Sequence, residues 1–345
     1  MTSQSCLEAT AIRIVFWGTS EFALPSFETL LRHKYSIAGV VTAPDKPAER
    51  KQMIAPPPLK KYLAREKPDI PLFQPPSLKV PSFAEELRTL NPDLFVVAAY
   101  GKIIPASILH IPRLGALNIH PSLLPRWRGP SPIQYTILNG DTETGVTIIK
   151  MDELMDHGSI IKKSKISGGT GKNAGRDRQK SKITYTELHR ILADKAAKLL
   201  IEILPKWVCG EIVPAAQDET QATYSKILKK TDGKIDWKKS AVEIERMIRA
   251  FNPWPGAWTL WSEKRIRIEE ADVHREEQRP IPHAEYPVSQ SLMPGRVVQT
   301  PSCILSVHTG TENLCIKKIT LEGSRPMDAA QFIQGHRAIM NATLL

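Results

Sequence analysis

The chain has 345 residues, 41% of them hydrophobic, and its 47 lysines and arginines outnumber its 36 aspartates and glutamates to give a net charge of +11. This composition supports a sizeable core and two domains, and no apolar run approaches the roughly 18 residues that a membrane span needs. The excess of positive charge favours a polyanionic partner such as nucleic acid, although a merely basic protein would have the same composition.

Residues 1–11 contain neither a basic segment followed by an apolar one nor the arginines of an organellar leader. We therefore expect no targeting segment and a cytoplasmic protein. The cysteines form no Cys-x-x-Cys pair; they are Cys6, Cys209, Cys303 and Cys315. This spacing predicts free thiols in a reducing compartment and no zinc site, and we expect no other metal.

Strand-like and helix-like segments alternate in the first two thirds of the chain. The predicted strands are 12–18, 36–42, 71–73, 94–99, 116–119 and 145–151. The predicted helices are 21–32, 59–66, 82–90, 132–138 and one that ends near 208. This alternation predicts an α/β domain with a Rossmann-like, doubly wound and mostly parallel sheet. Only Gly18 follows the first strand where G-x-G-x-x-G needs three glycines, so a dinucleotide site is not expected.

The stretch Ala116-Leu-Asn-Ile-His120 ends at Pro121, which cannot donate to a strand ladder. Because strand side chains alternate, Asn118 and His120 should face the same way. Ligands bind at the carboxyl ends of strands in open α/β sheets, and two converging N–H donors can stabilise an oxyanion. The alternative is a strand that simply continues into a polar loop.

A second polar loop, Asp152-Glu-Leu-Met-Asp156-His-Gly158, follows the strand 145–151. Asp156 at this position can lie behind His120, fix its tautomer and favour its charged form. Many Asp-x-Gly sequences are plain turns, and His157 is most simply a turn residue.

Two segments are basic and poor in periodic pattern. The first, 43–58, contains Lys46, Arg50 and Lys51. It predicts a long loop, and a long loop inside a compact domain is usually functional or disordered. The second, 162–182, is rich in glycine, lysine and arginine. Its Gly171-Lys172 pair imitates a phosphate-binding loop without the rest of the motif, so we expect a flexible basic loop instead.

The last third of the chain shows a helix at 240–251 and then short alternating segments. The predicted strands are 258–261, 265–269, 295–299, 304–307 and 314–321, before a final helix at 328–340. Their spacing predicts a small, OB-like β-barrel, which in a basic protein fits single-stranded or tRNA-like ligands. The expected organisation is an extension 1–11, a catalytic domain 12–209, a linker 210–223 and a barrel domain 224–345.

The motif Asn118-Ile-His-Pro-Ser-Leu-Leu-Pro125, followed by Arg126-Trp-Arg-Gly129, resembles the signature of enzymes that transfer a formyl group from 10-formyltetrahydrofolate. That signature is shared with glycinamide ribonucleotide and sugar-nucleotide formyltransferases, so it indicates the chemistry better than the acceptor. The loop at 42–50, the segment Arg249-Ala-Phe-Asn-Pro-Trp-Pro-Gly-Ala-Trp258 and the C-terminal barrel resemble the methionyl-tRNA formyltransferase family, from Ile12 to the final helix.

The resemblance implies a role for each matching residue. Asn118, His120 and Asp156 correspond to the catalytic residues. The implied folate contacts are Ser122, Leu123, Leu124, Pro125, Val97, Tyr100, Gly101 and Ile104. The implied tRNA contacts are Arg50, Lys51 and Lys46. The sequence departs from the family at the usual Leu-Asp-Thr-Gly-Asp, here Met155-Asp-His-Gly-Ser159, and at the residues beside Arg50, which are not glycines.

The implied reaction transfers the formyl group of 10-formyltetrahydrofolate to the α-amine of methionyl-initiator tRNA, through a tetrahedral intermediate and without a metal. The resemblance also implies a monomer with no membrane association. One alternative is a folate-dependent formyltransferase acting on an amino-sugar nucleotide, which has less need of such a basic chain. Another is a non-catalytic RNA-binding protein, which the presence of Asn118, His120 and Asp156 together disfavours.

Overall fold

The computed structural model describes residues 10–47, 54–66, 69–167, 182–274, 293–300, 302–340 and 342–345. Within these residues the chain forms two compact units. The first comprises 10–133, 142–167 and 187–227, and the second comprises 134–141, 182–186 and 228–345, less the gaps given above. None of the described helices combines the length and the apolar composition that crossing a membrane requires.

The first unit is built on strands β1 to β9. They are Arg13–Gly18, Ser36–Val41, Lys46–Pro47, Ile54–Ala55, Leu72–Phe73, Leu94–Ala98, Ala116–His120, Glu143–Lys150 and Ser159–Ser167. The helices α1 to α6 are Leu24–Arg32, Pro58–Glu66, Pro81–Thr89, Ala106–Leu109, Pro132–Asn139 and Tyr185–Val208. Most of α5 belongs to the second unit, and the others lie wholly or mainly in the first. A short 3₁₀ turn, Glu21–Ala23, precedes α1.

The main sheet has the strand order β5-β2-β1-β6-β7-β8-β9 in the described part of the chain. The first five strands in this order, which are β5, β2, β1, β6 and β7, run parallel to one another. The pairings of β7 with β8 and of β8 with β9 are antiparallel. The predicted mostly parallel, Rossmann-like sheet is therefore confirmed. Every residue of β6 is buried, as expected for a central strand covered on both faces.

Two predicted loops contain strands. Lys162 to Ser167 belong to β9, whose side chains are mostly lysine and serine and so hide the alternation that marks a strand. The loop at 43–58 includes β3 and β4, which pair as a short antiparallel ladder. Arg50, Lys51 and the glycine-rich stretch 168–181 lie outside the described residues.

In the part of the second unit that starts at residue 228, the first α-helix is α7, Ala241–Phe251. Its N-terminus is closed by a capping box in which the Ser240 and Glu243 side chains each bond the other's backbone N–H. Strands β10 to β15 follow at Ala257–Trp261, Lys264–His274, Val297–Thr300, Cys303–His308, Asn313–Leu321 and Met327–Asp328. They form an antiparallel sheet in the order β10-β11-β14-β13-β12, with β15 paired to β14.

The last described residues link the two edges of this sheet. Leu345 exchanges two backbone hydrogen bonds with Leu260 of β10, of 2.9 and 3.0 Å. On the other side, the N–H of Leu344 donates to Gly295, and the N–H of Val297 in β12 donates to Ala342. The predicted barrel is thus closed by the chain's own terminal segment, a role that the sequence pattern did not indicate. The predicted final helix is shorter, with α8 at Ala329–Gly335 followed by a 3₁₀ turn.

The prediction of free thiols is wrong for two of the four cysteines. Cys303 on β13 and Cys315 on β14 form a disulfide. These strands are neighbours in the sheet, and the two Cα atoms lie 5.8 Å apart, within the normal range for a disulfide. Their 12-residue separation carries no local signal, so only strand pairing reveals the contact. Cys6 lies outside the described residues.

One buried hydroxyl ties the main sheet to the loop that follows β7. The Oγ1 of Thr147, on β8, donates to the carbonyl of Ser122 at 2.7 Å and accepts from the N–H of Leu124 at 3.1 Å. On the same strand, the hydroxyl of Thr144 is also buried but has no hydrogen-bond partner within the described residues. The two threonines are therefore a matched pair for measuring what the loop gains from this attachment.

We expect Thr147→Val to lower the free energy of unfolding by about 1–3 kcal/mol, because two buried backbone groups lose their partner. Thr144→Val should be neutral or stabilising, because it removes an unpaired buried hydroxyl. Urea unfolding followed by tryptophan fluorescence measures both. Equal effects of the two substitutions would contradict the attachment.

Candidate active site

Three polar side chains meet at the carboxyl end of β7. The Nδ2 of Asn118 donates to Asp156 Oδ1 at 3.0 Å, and the Nδ1 of His120 lies 3.4 Å from the same oxygen. The His120 and Asp156 side chains are only 5% and 13% exposed. The strand alternation explains the arrangement, because residues two apart on β7 present their side chains on one face. Leu117 and Ile119 alternate with them along the strand, and both are buried.

The second carboxylate oxygen of Asp156 is also occupied. The backbone N–H of Gly129 donates to Oδ2 at 2.8 Å. Asp156 has a positive φ of 52°, and Trp127, in the facing loop, has a φ of 60°. Non-glycine residues rarely adopt such angles, and they cluster at functional sites where the surrounding structure enforces them. Both loops are therefore held in conformations that aim polar groups at the Asp156 carboxylate and at His120.

Both ring nitrogens of His120 face oxygen acceptors. Nδ1 faces Asp156, and Nε2 lies 2.8 Å from the carbonyl oxygen of Trp127. A neutral imidazole has one N–H and can satisfy only one of these acceptors, whereas an imidazolium satisfies both. Burial acts to lower the pKa of His120, but the charge and hydrogen bond of Asp156, aided by the Trp127 carbonyl, outweigh it and raise that pKa.

The partners of Asp156 keep it ionised in turn. Burial alone acts to raise the pKa of this carboxyl group. The charge and hydrogen bond of His120, the Gly129 N–H and the nearby charge of Arg128 outweigh burial and lower the pKa. The site therefore holds a buried ion pair, and each member keeps the other charged.

A layer of residues behind this pair was not indicated by the sequence. The guanidinium of Arg128 is 1% exposed and binds both carboxylate oxygens of Glu219, at 2.6 and 2.9 Å. It also donates to Oε1 of Gln217, whose Nε2 donates to the carbonyls of Asp156 and Gly158 at 2.8 Å each. Arg128 and Gln217 thus connect the two loops that carry the site. Arg128 lies inside the Arg126-Trp-Arg-Gly129 motif, which was the only available signal.

The segment predicted as a linker packs against the loop after β7. The N–H of Trp127 donates to Thr223 Oγ1, and the N–H of Arg128 donates to the Thr223 carbonyl at 2.8 Å. The N–H of Ser225 then donates to the Arg128 carbonyl at 2.7 Å. A Cβ on Gly129, where φ is 102°, would lie 2.6 Å from the Ser225 carbonyl, so this close approach requires glycine.

The residues expected to contact folate differ in how accessible they are. Ser122 and Leu124 are buried within their own loop, and the Ser122 hydroxyl donates to the Arg126 carbonyl at 2.6 Å. Leu123 and Pro125 are partly exposed. Val97, Tyr100 and Ile104 belong to a buried cluster beneath the sheet end, whereas Gly101 is exposed.

The hydroxyl of Tyr100 has no hydrogen-bond partner among the described residues, and burial raises its pKa to about 12. Of the expected tRNA contacts, Lys46 lies in β3, and Arg50 and Lys51 fall outside the described residues. No group of three or more histidine, cysteine, aspartate or glutamate side chains in the described ranges is arranged to hold a metal ion.

The arrangement is suited to acyl transfer. Asn118 uses one amide hydrogen for Asp156, which leaves the second to bond a substrate oxygen. Both ring nitrogens of His120 are engaged by Asp156 and the Trp127 carbonyl, so the imidazolium contributes positive charge rather than a free N–H. An amide donor beside a fixed positive charge can stabilise an oxyanion. Asp156 is the nearby carboxylate that can accept a proton from an attacking amine.

Comparison with known proteins identifies the class of enzyme to which the chain belongs. A family model described as formyl transferase matches residues 12–176, and one described as formyl transferase, C-terminal domain, matches residues 227–337. Both parts of the chain thus belong to the formyl transferase class.

Individual relatives indicate which family of formyl transferases the chain belongs to. A methionyl-tRNA formyltransferase of Chloroflexus aggregans is 40% identical over 328 residues, covering 95% of this chain and 98% of the relative. One of Marinobacter nauticus is 39% identical over 329 residues, with the same coverage. The chain belongs to the methionyl-tRNA formyltransferase family.

Solved structures of lower identity share the fold. HypX from Aquifex aeolicus in complex with tetrahydrofolic acid aligns with a TM-score of 0.59 and 16% identity, over 93% of this chain and 47% of that one. The sugar 3N-formyl transferase WlaRD aligns with a TM-score of 0.58 and 18% identity, over 91% and 99% of the two chains. Sugar formyl transferases are thus distant structural neighbours of this chain.

We expect Asp156→Asn to lower the pKa of His120. The substitution removes the charge that raises this pKa and leaves burial, which lowers it. The measurement is an NMR titration of the histidine ring carbons, with the His120 signal identified by its absence in His120→Asn. His189, whose own pKa is lowered by burial, is the internal control and should not move. An unchanged His120 titration would show that Asp156 does not determine its charge.

Proposed function

We propose that this protein transfers the formyl group of 10-formyltetrahydrofolate to the free α-amine of methionyl-initiator tRNA, giving N-formylmethionyl-tRNA. The observation that carries the proposal is the convergence of Asn118, His120 and Asp156 at the carboxyl end of β7. The near full-length similarity to methionyl-tRNA formyltransferases supports the choice of acceptor. The folate-bound HypX neighbour supports the choice of donor class.

The residues near the site fit a folate co-substrate. When bound, it supplies an activated formyl group. The exposed residues around Gly101 offer backbone polar groups to a heteroaromatic ring at the sheet end, above the buried Tyr100 hydroxyl, which has no hydrogen-bond partner within the described residues. We propose that the loop from Val97 to Ile104 and the segment Ser122 to Pro125 hold it, the latter through Leu123, Pro125 and its backbone.

We assign the catalytic roles as follows. Asn118 donates its second amide hydrogen to the formyl oxygen, where negative charge develops during acyl transfer. His120 supplies positive charge and is kept protonated by Asp156. Asp156 accepts the proton that the attacking amine must lose and passes it toward the departing folate nitrogen.

We propose that the second unit and the basic surface bind the tRNA. The net charge of +11 favours phosphate binding that weakens as salt rises. In this scheme residues 12–209 form the catalytic domain, 210–223 the connection and 224–345 the tRNA-binding barrel, and Lys46, Arg50 and Lys51 contact the acceptor. We expect the enzyme to act as a cytoplasmic monomer.

We expect Asn118→Ala, His120→Ala and Asp156→Ala each to lower the rate of formyl transfer by roughly 100-fold or more. Asn118→Ala removes the oxyanion donor, a loss that typically costs this much, and the other two remove the positive charge and the proton acceptor. The assay contains 10-formyltetrahydrofolate and methionyl-initiator tRNA, and circular dichroism verifies the fold of each variant. A folded His120→Ala enzyme with a near-normal rate would refute the assigned site.

The same assay identifies the acceptor. Formylation of methionyl-tRNA that falls as salt rises supports the proposal. Folate binding with formylation of an amino-sugar nucleotide, and none of aminoacyl-tRNA, would instead favour the sugar enzyme.

We expect Arg50→Ala to raise the KM for methionyl-tRNA and to leave folate affinity unchanged. The reason is that an arginine on the basic loop binds phosphate and takes no part in the acyl transfer. Steady-state kinetics with varied tRNA, together with a folate-binding titration, separate the two effects. Lys79→Ala, on an exposed turn before α3, is the control for the loss of a single positive charge. Unchanged tRNA kinetics in Arg50→Ala would exclude this role.

A further inference from the structure

The charged network around the site extends outward to His157. The Nδ1 of His157 lies 2.5 Å from Asp152 Oδ2, and its Nε2 lies 3.5 Å from Glu219 Oε1. That Glu219 oxygen is also 2.6 Å from Nη2 of the buried Arg128. His157 is therefore one contact removed from the arginine that helps to hold the Asp156 loop.

Acidic and basic side chains alternate along this path. Beginning at the surface, its members are Asp152, His157, Glu219, Arg128, Asp156 and His120. Each neighbouring pair is in contact except Arg128 and Asp156, which are joined through Gln217 and through the N–H of Gly129, the residue after Arg128. Oxygen acceptors face both ring nitrogens of His157, as they do at His120.

We propose that His157 is a positioning residue, which holds Glu219 on Arg128 and thereby fixes the loop that presents Asp156 to His120. The proposal rests on the function proposed above. Its ring nitrogens face Asp152 and Glu219 rather than Asn118 or His120, so it acts through Glu219, Arg128 and Gln217. The sequence pattern alone favoured a plain turn at this position.

The burial of Arg128 is the reason that this contact matters. An isolated, exposed pair such as His157 and Glu219, which are 38% and 54% exposed, contributes little by itself. Arg128, however, is 1% exposed, and Glu219 is its carboxylate partner within the described residues. A buried guanidinium that loses its carboxylate must move or draw in water. Any such movement is transmitted to Gln217 and to the Asp156 backbone that Gln217 holds.

The effects of neighbouring groups on the pKa values of Glu219 and Asp156 support the proposed role of His157. The hydrogen bond and charge of Arg128 lower the pKa of Glu219, and the charge of His157 lowers it further, against the opposing effects of burial and Asp218. The Arg128 charge in turn lowers the pKa of Asp156. The contact between His157 and Glu219 thus acts in the same direction as the Arg128 contact, which holds Glu219 in its ionised form.

The first test is the charge state of His120, measured without any substrate. We expect His157→Ala to lower the midpoint of the His120 NMR titration by about half a pH unit, because the Asp156 loop loosens. His157→Gln, which keeps much of the volume and one hydrogen bond, should give a smaller shift. His110→Ala is the matched control, since His110 also lies near a loop carboxylate, Glu153 at 3.6 Å, but outside the network.

The second test is kinetic. We expect His157→Ala to lower kcat for formyl transfer roughly tenfold, less than the ~100-fold that a 1 Å misplacement can cost. If His157 acts through Glu219, the same substitution in a Glu219→Gln background should add little, because the contact is already lost. His110→Ala should retain the wild-type rate.

The two readouts keep this proposal separate from the proposed function. A wild-type protein that transfers no formyl group would refute the proposed function and leave the His120 titration to test the network. Unchanged His120 titration in His157→Ala, or fully additive effects of His157→Ala and Glu219→Gln on kcat, would overturn the positioning role.

Discussion

The carboxylate of Asp156 has little access to water, and the architecture of the catalytic unit keeps it ionised there. Removing a carboxylate from solvent is costly unless charge and hydrogen bonds compensate for the lost hydration. Asn118, His120 and the Gly129 N–H supply that compensation directly. Each comes from β7 or from the loop that follows it, so the position of one strand end determines the charge state of the whole site.

Holding these groups in place requires backbone conformations that the local sequence does not favour. Asp156 and Trp127 both have positive φ angles, and Trp127 must direct its carbonyl at His120. The residues around Thr223 and the buried Arg128 hold this loop from the far side, and Thr147 holds it from the sheet. The strain is therefore balanced by contacts distributed over distant parts of the chain.

The disulfide and the closure of the barrel illustrate the same dependence in the second unit. Cys303 and Cys315 meet because β13 and β14 are neighbours. The terminal residues complete the ring because β10 and β12 each present an unpaired edge to them. Unpaired strand edges readily form hydrogen bonds with other strands, and here the last residues of the same chain bond both edges. Neither contact leaves a periodic pattern that short segments of sequence can show.

The sequence by itself determined the parts that depend on short-range regularities. Alternating apolar segments predicted the parallel sheet, and the period of a strand predicted that Asn118 and His120 share a face. The position of Asp156 after a strand suggested that it could lie behind His120, but β8 is antiparallel to β7 and its last residue, Lys150, pairs with Leu117, so only the fold of the loop after β8 brings Asp156 to His120. Only the tertiary structure revealed the supporting network of Arg128, Gln217, Glu219 and His157. It alone also revealed that residues 162–167 belong to a strand and that Cys303 and Cys315 form a disulfide. These contacts join residues far apart in the chain, and a hydrogen bond or ion pair formed by folding has no signature in the sequence on either side of it.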